Sequence, residues 1–494
     1  MKDNYKMTVG LEIHAELKTQ SKMFCGCLNQ SGGLVDRTAE AVLGANSEES
    51  NKSPNIHICP VCMGYPGTLP TINKEAIKKV LLVGLALGGK IADFTEFDRK
   101  SYFYPDIPKG YQISQYKHPL VQGGTLNGIE LTRIHLEEDT ARSTHDIADA
   151  SLVDYNRAGV PLMELVTEPV IHSSEEATKF AKELQLVLQY LGVSDANMEK
   201  GEMRVEVNMS VSKTETLGTK VEVKNINSFR AVGKAIDFEF ERQTALLEKG
   251  ESVVQETRGW DENKEKTFSQ RSKESAHDYR YFGEPDLPKL KLSEVEEFSK
   301  EELKKSLLEL PSEKRLRFKK DFDLKSEDIE TYINNKEADK FFTEVVERFV
   351  AGKEVSLKTA SNYITSDVMG LSKSVGSFFS LGQITPDNFA KLITMISGGE
   401  LSSRGAKDIL KIMFEEGGDP TVIANEKGLI QKNNRAEIQK IMEEIISSNQ
   451  ESVVLYKNGK ESILQFFVGL GMKAMKGSGN PEMIKTVVLE LLTK

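Results

Sequence analysis

Apolar and polar residues alternate strictly in several short segments of the first half of the chain. In residues 9–17 the odd positions are apolar, whereas the even positions include Glu12 and His14. The same alternation recurs in residues 204–211 and 221–224. A period of two is typical of a strand with one packed and one exposed face. We therefore expect a mostly antiparallel sheet whose second face is polar.

Helical spacing appears between these strands and then dominates the second half of the chain. Ser173 and Glu176 have the spacing of a capping box ahead of an apolar stripe. From residue 292 onward the chain is charged, sparse in proline and helical in its spacing, with helix starts indicated at Thr385 and Ser402. This pattern predicts an α+β domain up to about residue 292 and an all-α remainder.

The length and the net charge of the chain limit the kinds of protein to which it can belong. The chain has 494 residues, of which 39% are hydrophobic, and a formal net charge of −10. This length suits two or three domains. The longest apolar stretch, residues 80–87, is far shorter than the roughly 20 residues of a membrane-spanning helix, so we expect a cytoplasmic protein without a membrane partner. The negative charge argues against nonspecific coating of nucleic acid and restricts any RNA contact to a local surface.

The cysteines form two close pairs. Cys25 and Cys27 make a C-x-C turn, Cys59 and Cys62 make a C-x-x-C turn, and the sequence has no other cysteine. Two such turns can hold one tetrahedral Zn²⁺, and cytosolic proteins seldom keep such pairs as disulfides. We predict a structural zinc site, because four sulfur ligands leave no position open for substrate. The alternative is four thiols without a metal.

Acidic residues and histidines recur on the polar faces of the predicted strands. Crowded carboxylates repel one another unless divalent cations neutralise them, and Mg²⁺ beside the phosphates of ATP is the usual reason for such crowding. The alternative is a set of solvated strand faces. The residues concerned are Glu12, His14, the run from His135 through Glu137 and Glu138 to Asp139, Glu164, Glu168, Glu206 and Glu222.

Several familiar catalytic motifs are missing from the sequence. Neither G-x-x-x-x-G-K-[ST] nor a strand-linked G-x-G-x-x-G occurs, so a sheet would have to hold any nucleotide. The sequence also contains no amidase-type serine stretch, no G-x-S-x-G elbow and no spare cysteine. If ammonia is a substrate, another subunit must release it.

Two segments have the composition of nucleic-acid contacts. Residues 97–115 combine aromatic residues with Arg99 and two Lys and could stack on bases or hold a phosphate, although a structural loop has the same composition. Residues 453–494 form a basic island in an acidic chain, with Lys457, Lys460 and Lys473 followed by Lys476. The island could bind an RNA backbone, whereas an ordinary solvated helix face is the alternative.

Nine short segments, in order along the chain, together carry a family resemblance. They are residues 9–14 (VGLEIH), 59–67 (CPVCMGYPG), 97–106 (FDRKSYFYPD), 109–115 (KGYQISQ), 154–161 (DYNRAGVP), 222–228 (EVKNINS), 278–282 (DYRYF), 456–460 (YKNGK) and 473–477 (KAMKG). The chain resembles the B subunits of aspartyl/glutamyl-tRNA amidotransferases over essentially its whole length.

The resemblance implies an architecture and a division of labour. It implies a cradle domain related in fold to glutamine synthetase over residues 1–292, a helical domain over 293–409 and a tRNA-binding tail similar to the small YqeY proteins over 410–494. It also implies a heterotrimer: an amidase A subunit releases ammonia from glutamine and a small C subunit wraps the A and B subunits together. The B subunit would use ATP to phosphorylate the Asp or Glu carried by misacylated tRNA, and ammonia would then displace the phosphate.

The resemblance also assigns site residues. The metal and phosphate ligands of the family correspond to Glu12, His14, Glu138, Glu164 and Glu222. Glu138 shares the parity of Ile134 and Leu136, so the strand would have to end or bulge before it, and Glu137 is the alternative. Arg157 or Lys224 is expected to contact the transferred phosphate.

Two departures from the family pattern affect these assignments. Residues 204–208 read RVEVN where many members read RCDAN, which puts a metal role for Glu206 in doubt. Residues 168–170 read EPV where many members read EPD. This change affects only the end of a predicted strand. Two other functions stay open: a zinc-containing tRNA-binding scaffold without catalysis, and a free-standing ligase for small amino acids.

Overall fold

The computed structural model describes most of the chain. It covers residues 4–29, 53–147, 150–272, 279–349, 357–431, 435–475 and 479–493. The chain divides into two compact units, Met1–Pro311 and Ser312–Lys494. Within the described residues, no helix is both long and apolar enough to cross a membrane.

The first unit contains the strands, most of which belong to one large sheet. In chain order the strands are β1 (Lys6–Glu16), β2 (Lys90–Ile91), β3 (Phe94–Thr95), β4 (Asp98–Ser101), β5 (Tyr111–Ser114), β6 (Val121–Gln122), β7 (Thr125–Leu126), β8 (Ile129–Glu138), β9 (Arg142–Ile147), β10 (Ala150–Asp154), β11 (Pro161–Thr167), β12 (Met203–Ser212), β13 (Val221–Lys224), β14 (Glu256–Asp261), β15 (Lys266–Ser272), β16 (Phe282–Gly283) and β17 (Leu290–Lys291).

The large sheet is antiparallel except at one junction. Its strand order is β15-β14-β13-β12-β1-β11-β8-β6-β2, with β7 paired to β8, and only β13 and β14 run parallel. This arrangement confirms the prediction of a mostly antiparallel sheet. Val9, Leu11 and Ile13 of β1 lie on its buried apolar face, as their alternation predicts. Glu12 and His14 therefore project from the opposite face.

Helices cover the apolar face of the sheet. Among the residues described in this unit, the α-helices are α1 (Lys74–Ala86), α2 (Ser174–Tyr190), α3 (Phe229–Glu248) and α4 (Lys300–Lys305). Ser173 caps α2 by accepting a hydrogen bond from the backbone N–H of Glu176, so this predicted helix start is confirmed. Phe180 and Leu184 of α2 lie in the same buried core as β1, and this packing leaves the polar face available for chemistry.

The second unit contains helices and no strand among its described residues, which confirms the predicted change to an all-α region. Thr385 and Ser402 cap helices as expected, by accepting hydrogen bonds from the N–H groups of Asn388 and Gly405. A π-helical turn, Tyr363–Val368, separates α8 from α9. The helices are α5 (Pro311–Phe322), α6 (Ser326–Asn334), α7 (Lys336–Glu347), α8 (Leu357–Asn362), α9 (Met369–Ser374), α10 (Pro386–Ser397), α11 (Ser403–Glu415), α12 (Pro420–Glu426), α13 (Arg435–Ser447), α14 (Gln450–Lys457), α15 (Ile463–Ala474) and α16 (Pro481–Thr493).

The three-domain division stays a prediction. The structure shows which truncations would leave the packed cores intact. Phe298 and Leu303 lie in the core of the first unit, beyond the predicted boundary at residue 292. The second predicted boundary, at residue 409, falls inside α11. Helices α13 to α16 share a hydrophobic core of their own. A truncation that respects this core would follow residue 431.

Candidate active site and metal centres

The register of four neighbouring strands places acidic residues and histidines side by side on the polar face. His14 of β1 lies opposite Glu164 of β11, which in turn lies opposite His135 of β8. Glu12 lies opposite Glu206 of β12. Cross-strand partners have Cβ atoms about 5 Å apart, so these side chains meet above the sheet.

Two histidines and two carboxylates make the closest contacts in this cluster. His14 Nε2 is 3.4 Å from both Glu137 Oε1 and Glu164 Oε2. His135 Nε2 is 3.5 Å from the same Glu164 Oε2. Glu137, Glu164 and His135 are buried. A buried carboxylate is costly unless a partner neutralises it, so the cluster requires positive charge.

The electrostatics of the cluster reflect this requirement. Burial alone would lower the pKa of His14, but its contacts with Glu137 and Glu164 raise that pKa well above the usual value. Burial, together with repulsion from Glu164 and Glu206, raises the pKa of Glu12 to about 7. Burial lowers the pKa of His135. The two carboxylates thus favour positive charge at His14, where a bound cation could act instead.

A second group of carboxylates lies beside the first. Glu12, Glu206 and Glu222 can each bring an oxygen within 4.8 Å of the others. Lys224 Nζ lies 2.8 Å from Glu206 Oε2 and 3.9 Å from Glu222 Oε1. Thr257 donates a hydrogen bond of 2.7 Å to Glu222. Because Glu12 can also join His14 and Glu164, the two groups form one continuous polar site.

The donor atoms in this site fit divalent cations. Among the described residues, the buried Glu137 Oε2 and Asn208 Oδ1 have no hydrogen-bond partner. Buried polar atoms are nearly always paired, so each orphan needs an explanation. Carboxylate and amide oxygens are the ligands that Mg²⁺ prefers. The oxygen ligands of this site, two of which lack a hydrogen-bond partner, are therefore suited to Mg²⁺.

The four cysteines come together in a separate cluster. Cys62 Sγ is 4.0 Å from Cys27 Sγ and 3.9 Å from Cys59 Sγ, and all four sulfur atoms lie within 4.8 Å of one another. A disulfide would require about 2.05 Å, whereas four ligands at about 2.3 Å from Zn²⁺ are about 3.8 Å apart. A hydrogen bond from Cys25 lowers the pKa of Cys62 to about 4. The cluster is compatible with a structural zinc ion.

Two family models and several relatives match this chain. Residues 7–297 match the GatB/GatE catalytic domain, and residues 330–492 match the GatB domain. The B subunit of an aspartyl/glutamyl-tRNA(Asn/Gln) amidotransferase from Thermoanaerobacter sp. (strain X514) is 43% identical over 99% of this chain and 100% of the relative. The chain belongs to the family of amidotransferase B subunits. Proteins of the same name from Caldicellulosiruptor saccharolyticus and Persephonella marina are 42% and 40% identical, each over 99% of both chains.

One assigned residue of this member of the B-subunit family lies away from the polar cluster. The strand β8 continues through Glu138 without a register shift at that end, so its side chain points to the face opposite Glu137. There Glu138 accepts hydrogen bonds from Lys109 Nζ and from the backbone N–H of Ile113. Glu138 therefore does not lie on the same face as Glu12, His14, Glu164 and Glu222, with which it was expected to group, whereas Glu137 lies beside His14.

The two candidate phosphate contacts differ in their surroundings. Lys224 extends over the carboxylates of the polar site. Arg157 instead donates hydrogen bonds of 3.0 Å to the carbonyl oxygens of Thr140 and Ala141, and it lies 3.6 Å from Asp139. Its guanidinium is thus engaged by the backbone. Of the two, Lys224 is the better placed.

Two cations at the edge of the site, Arg204 and Lys100, were not among the site residues predicted from the sequence. Arg204 lies directly opposite His14 in the strand register and binds Asp139. Lys100 lies 5.0 Å from the centre of the Tyr279 ring, and its pKa, which burial would lower, is raised by Glu137. Lys100 belongs to the Tyr-rich loop of residues 97–115. Its position two residues before a Tyr in that loop was the feature of the sequence that could have identified it. Asp278, which the family resemblance included, lies outside the described residues.

Proposed function

We propose that this chain binds Glu-tRNA(Gln), Asp-tRNA(Asn) or both, phosphorylates the side-chain carboxylate with ATP, and converts it to the amide with ammonia from an amidase A subunit. The observation that carries the proposal is the buried polar cluster of Glu12, His14, Glu137 and Glu164 with its unpaired Glu137 oxygen. Membership of the B-subunit family supports the choice of substrate. A small C subunit would complete the complex.

The proposed reaction has two balanced steps. A carboxylate oxygen attacks the γ-phosphorus of ATP, the bond to ADP breaks, and an acyl phosphate forms. Ammonia then attacks the acyl carbon, inorganic phosphate leaves, and a proton is released as the amide forms. The first step is needed because a free carboxylate has no good leaving group, whereas phosphate leaves readily. Most of the catalysis therefore consists of positioning and of charge stabilisation.

The residues of the site have distinct roles in this proposal. Glu12, His14 and Glu164 would hold one Mg²⁺, with Glu137 beside them, and Glu12, Glu206 and Glu222 would hold another. When bound, Mg²⁺ would neutralise charge on the phosphates of ATP. Lys224 would contact the transferred phosphoryl group.

The four cysteines would support the site from a distance. A Cβ atom added to Gly159 would lie 3.6 Å from Cys62 Cβ and 4.0 Å from Glu138 Oε2, so the cysteine cluster packs closely against the loop before β11. A zinc ion on Cys25, Cys27, Cys59 and Cys62 would hold that loop in place, since structural zinc contributes folding energy directly.

The assay that tests the proposed function is ATP hydrolysis stimulated by misacylated tRNA, with the A and C subunits present. Trapping the acyl phosphate would identify the intermediate. A non-catalytic tRNA-binding scaffold would bind tRNA without stimulating ATP hydrolysis. Comparing Glu-tRNA(Gln) with Asp-tRNA(Asn) in the same assay would decide which substrate is used.

The chain alone is expected to have no glutaminase activity. All four cysteines gather in one cluster, and the sequence lacks an amidase serine motif, so no nucleophile is available for glutamine. Ammonium salts should replace glutamine in the assembled enzyme. Glutamine hydrolysis should be measured with the isolated chain and with the complex; comparable rates would contradict the expected dependence on a separate amidase.

Removal of the last helical core is expected to weaken tRNA binding without slowing the chemistry. Truncation after residue 431 deletes α13 to α16 as one packed group, and with it the exposed Lys457, Lys460 and Lys473. Fewer phosphate contacts should raise the KM for tRNA roughly tenfold and flatten its dependence on salt. Lys476 lies outside the described residues.

The control for this truncation keeps the tail and removes its charge. Replacing Lys457, Lys460 and Lys473 together by Gln should reproduce most of the increase in KM. The rate at saturating tRNA should stay close to that of the unaltered protein in both variants. An unchanged KM in the truncated protein would exclude the tail as a tRNA-binding element.

A further inference from the structure

Five tyrosine rings form a continuous row in the first unit. In spatial order they belong to Tyr104, Tyr102, Tyr279, Tyr281 and Tyr116, and successive ring centres are 5.9, 5.8, 6.0 and 4.4 Å apart. Aromatic rings at such separations attract one another. The row joins the Tyr-rich loop and the residue after it to a segment far away in sequence, so it is a product of the fold.

The row borders the polar site through Lys100. Lys100 Nζ lies 5.0 Å from the centre of the Tyr279 ring and 5.7 Å from that of Tyr102. Burial would lower the pKa of Lys100, but the charge of Glu137 raises it. Burial also raises the pKa of the Tyr281 hydroxyl, and the charge of Glu137 adds to this rise. The catalytic cluster therefore lies beside the row.

The last two rings of the row form a parallel stack that is open at one end. The rings of Tyr116 and Tyr281 lie 4.4 Å apart, with an angle of 13° between their planes. Tyr116 is 50% exposed. Because Tyr281 covers only one face of the Tyr116 ring, the other face is available to a further planar ring.

Strand β4 holds both members of this stack in place. The backbone N–H of Tyr116 donates a hydrogen bond of 2.9 Å to the buried Asp98 of β4. Tyr281 immediately precedes β16, which pairs with β4. Arg99 of β4 donates two hydrogen bonds of 2.7 Å to the buried Glu284, just after β16. The stack is thus fixed before a ligand arrives, which reduces the entropy cost of binding.

Cations flank the row, although the chain as a whole has a net charge of −10. Lys117 follows Tyr116, Arg280 lies between Tyr279 and Tyr281, and both cations are exposed. The backbone of Arg280 is left-handed, with φ of 47°, and strained conformations of this kind cluster at ligand contacts. Exposed aromatic rings beside cations are the combination that binds single-stranded RNA, in which bases stack and phosphates pair with the cations.

We propose that the stacked pair of Tyr116 and Tyr281 receives the terminal base of the unpaired 3′ end of the acylated tRNA, and that the rest of the row lines the path of this end to the polar site. The inference rests on the proposed function, because it takes misacylated tRNA as the substrate. It adds the surface that positions the acylated end.

The chemistry of the substrate supports this position. The amino acid is esterified to the ribose of the last nucleotide, so the terminal base and the reacting carboxylate are attached to the same sugar. When the carboxylate lies at the polar cluster, the base must lie close to that cluster, where the row offers an aromatic surface. Stacking tolerates any base because every base has a π-face, so one surface would serve both Glu-tRNA(Gln) and Asp-tRNA(Asn).

The fluorescence of 2-aminopurine would report on this stack directly. Its emission is quenched when the base stacks on an aromatic ring. The full-length chain, assembled with its partner subunits, would be mixed without ATP with Glu-tRNA(Gln) that carries 2-aminopurine in place of the terminal adenine. We expect binding to quench the emission.

Two substitutions of Tyr116 separate the ring from its hydroxyl group. Tyr116→Ala should lose most of the quenching and weaken tRNA binding about fivefold to tenfold, whereas Tyr116→Phe should keep both. With tRNA that lacks its unpaired 3′ nucleotides, the difference between Tyr116→Ala and the unaltered protein should largely disappear, because both changes delete the same interaction. Tyr65→Ala is the matched control, because Tyr65 is 57% exposed but lies outside the row, and it should leave binding unchanged.

Several outcomes would overturn the inference. Binding to the unaltered complex without quenching would exclude the stack, even if the variants failed to fold. Quenching that persists in the Tyr116→Ala complex, or an equal loss of affinity for intact and shortened tRNA, would exclude Tyr116 as the contact. Loss of the partner subunits from the Tyr116→Ala complex in gel filtration would assign the surface to a protein instead. None of these measurements uses ATP, so the proposed catalysis is judged separately by its own assay.

Discussion

Replacement of Glu12 by Gln, or of His14 by Ala, is expected to abolish tRNA-dependent ATP cleavage by the assembled amidotransferase. Both side chains belong to the buried polar cluster, where His14 Nε2 lies 3.4 Å from Glu137 and Glu164. In the proposed function both residues hold Mg²⁺, so the loss of either would weaken Mg²⁺ binding and remove charge stabilisation of several kcal/mol in the transition state. This corresponds to a loss of roughly a thousandfold in rate.

The measurement is formation of the acyl phosphate at saturating ATP with Glu-tRNA(Gln) or Asp-tRNA(Asn). Glutamine hydrolysis by the partner amidase should be unaffected, which separates lost chemistry from lost assembly. Glu130→Gln is the matched control, because Glu130 is an exposed carboxylate on β8 at the far end from the cluster. Substitution of such a surface residue should have little effect. Turnover close to that of the control in both active-site variants would favour the non-catalytic scaffold.

Single substitutions of Glu137 and Glu138 would show which of these adjacent carboxylates is needed for ATP cleavage. Glu137→Gln should lose ATP cleavage to the same extent as Glu12→Gln, since Glu137 contacts His14. Glu138→Gln should retain most of it, because Glu138 binds Lys109 on the other face of the sheet. The opposite pattern would restore the family assignment of Glu138 as a metal ligand.

Loss of the cysteine cluster is expected to have the largest effect on stability. The purified chain should contain one zinc ion, and Cys59→Ser or Cys62→Ser should lose it. Structural zinc contributes on the order of 10 kcal/mol to the folding of small domains. If even about 4 kcal/mol of this applies here, the thermal midpoint of the first unit should fall by roughly 10 °C.

Metal analysis and thermal unfolding test this prediction together. His57→Gln is a suitable control, because His57 lies near the cysteines in sequence but does not belong to the cluster of four. It should keep its zinc and its thermal midpoint. Chelation of the unaltered protein should reproduce the effect of the cysteine variants. Zinc well below one equivalent in carefully prepared protein would indicate that the thiols carry no metal.

The local structure and the set of chemical groups can be predicted from the sequence alone. Alternation in residues 9–17 and 204–211 predicted which side chains would face away from the core, since successive residues of a strand point to opposite faces. Ser173, Thr385 and Ser402 marked helix starts through their capping side chains, an interaction confined to a few residues. The spacing of the four cysteines was enough to predict that they would come together. The family resemblance identified the amidotransferase B subunits, and the comparisons confirm that membership.

Which of these groups come into contact depends on the tertiary fold. Alternation along β8 did not decide whether Glu137 or Glu138 would join the cluster, because a bulge before Glu138 would have exchanged their faces. The register between β8 and β11 has its only shift at the other end of the pair, so Glu137 lies in the cluster. His135, Lys100 and Arg204 likewise reach the site through contacts between strands distant in sequence. Alternation assigns a residue to a face of a strand but does not state which strand lies beside it, because neighbours in a sheet depend on the register of long-range backbone hydrogen bonds.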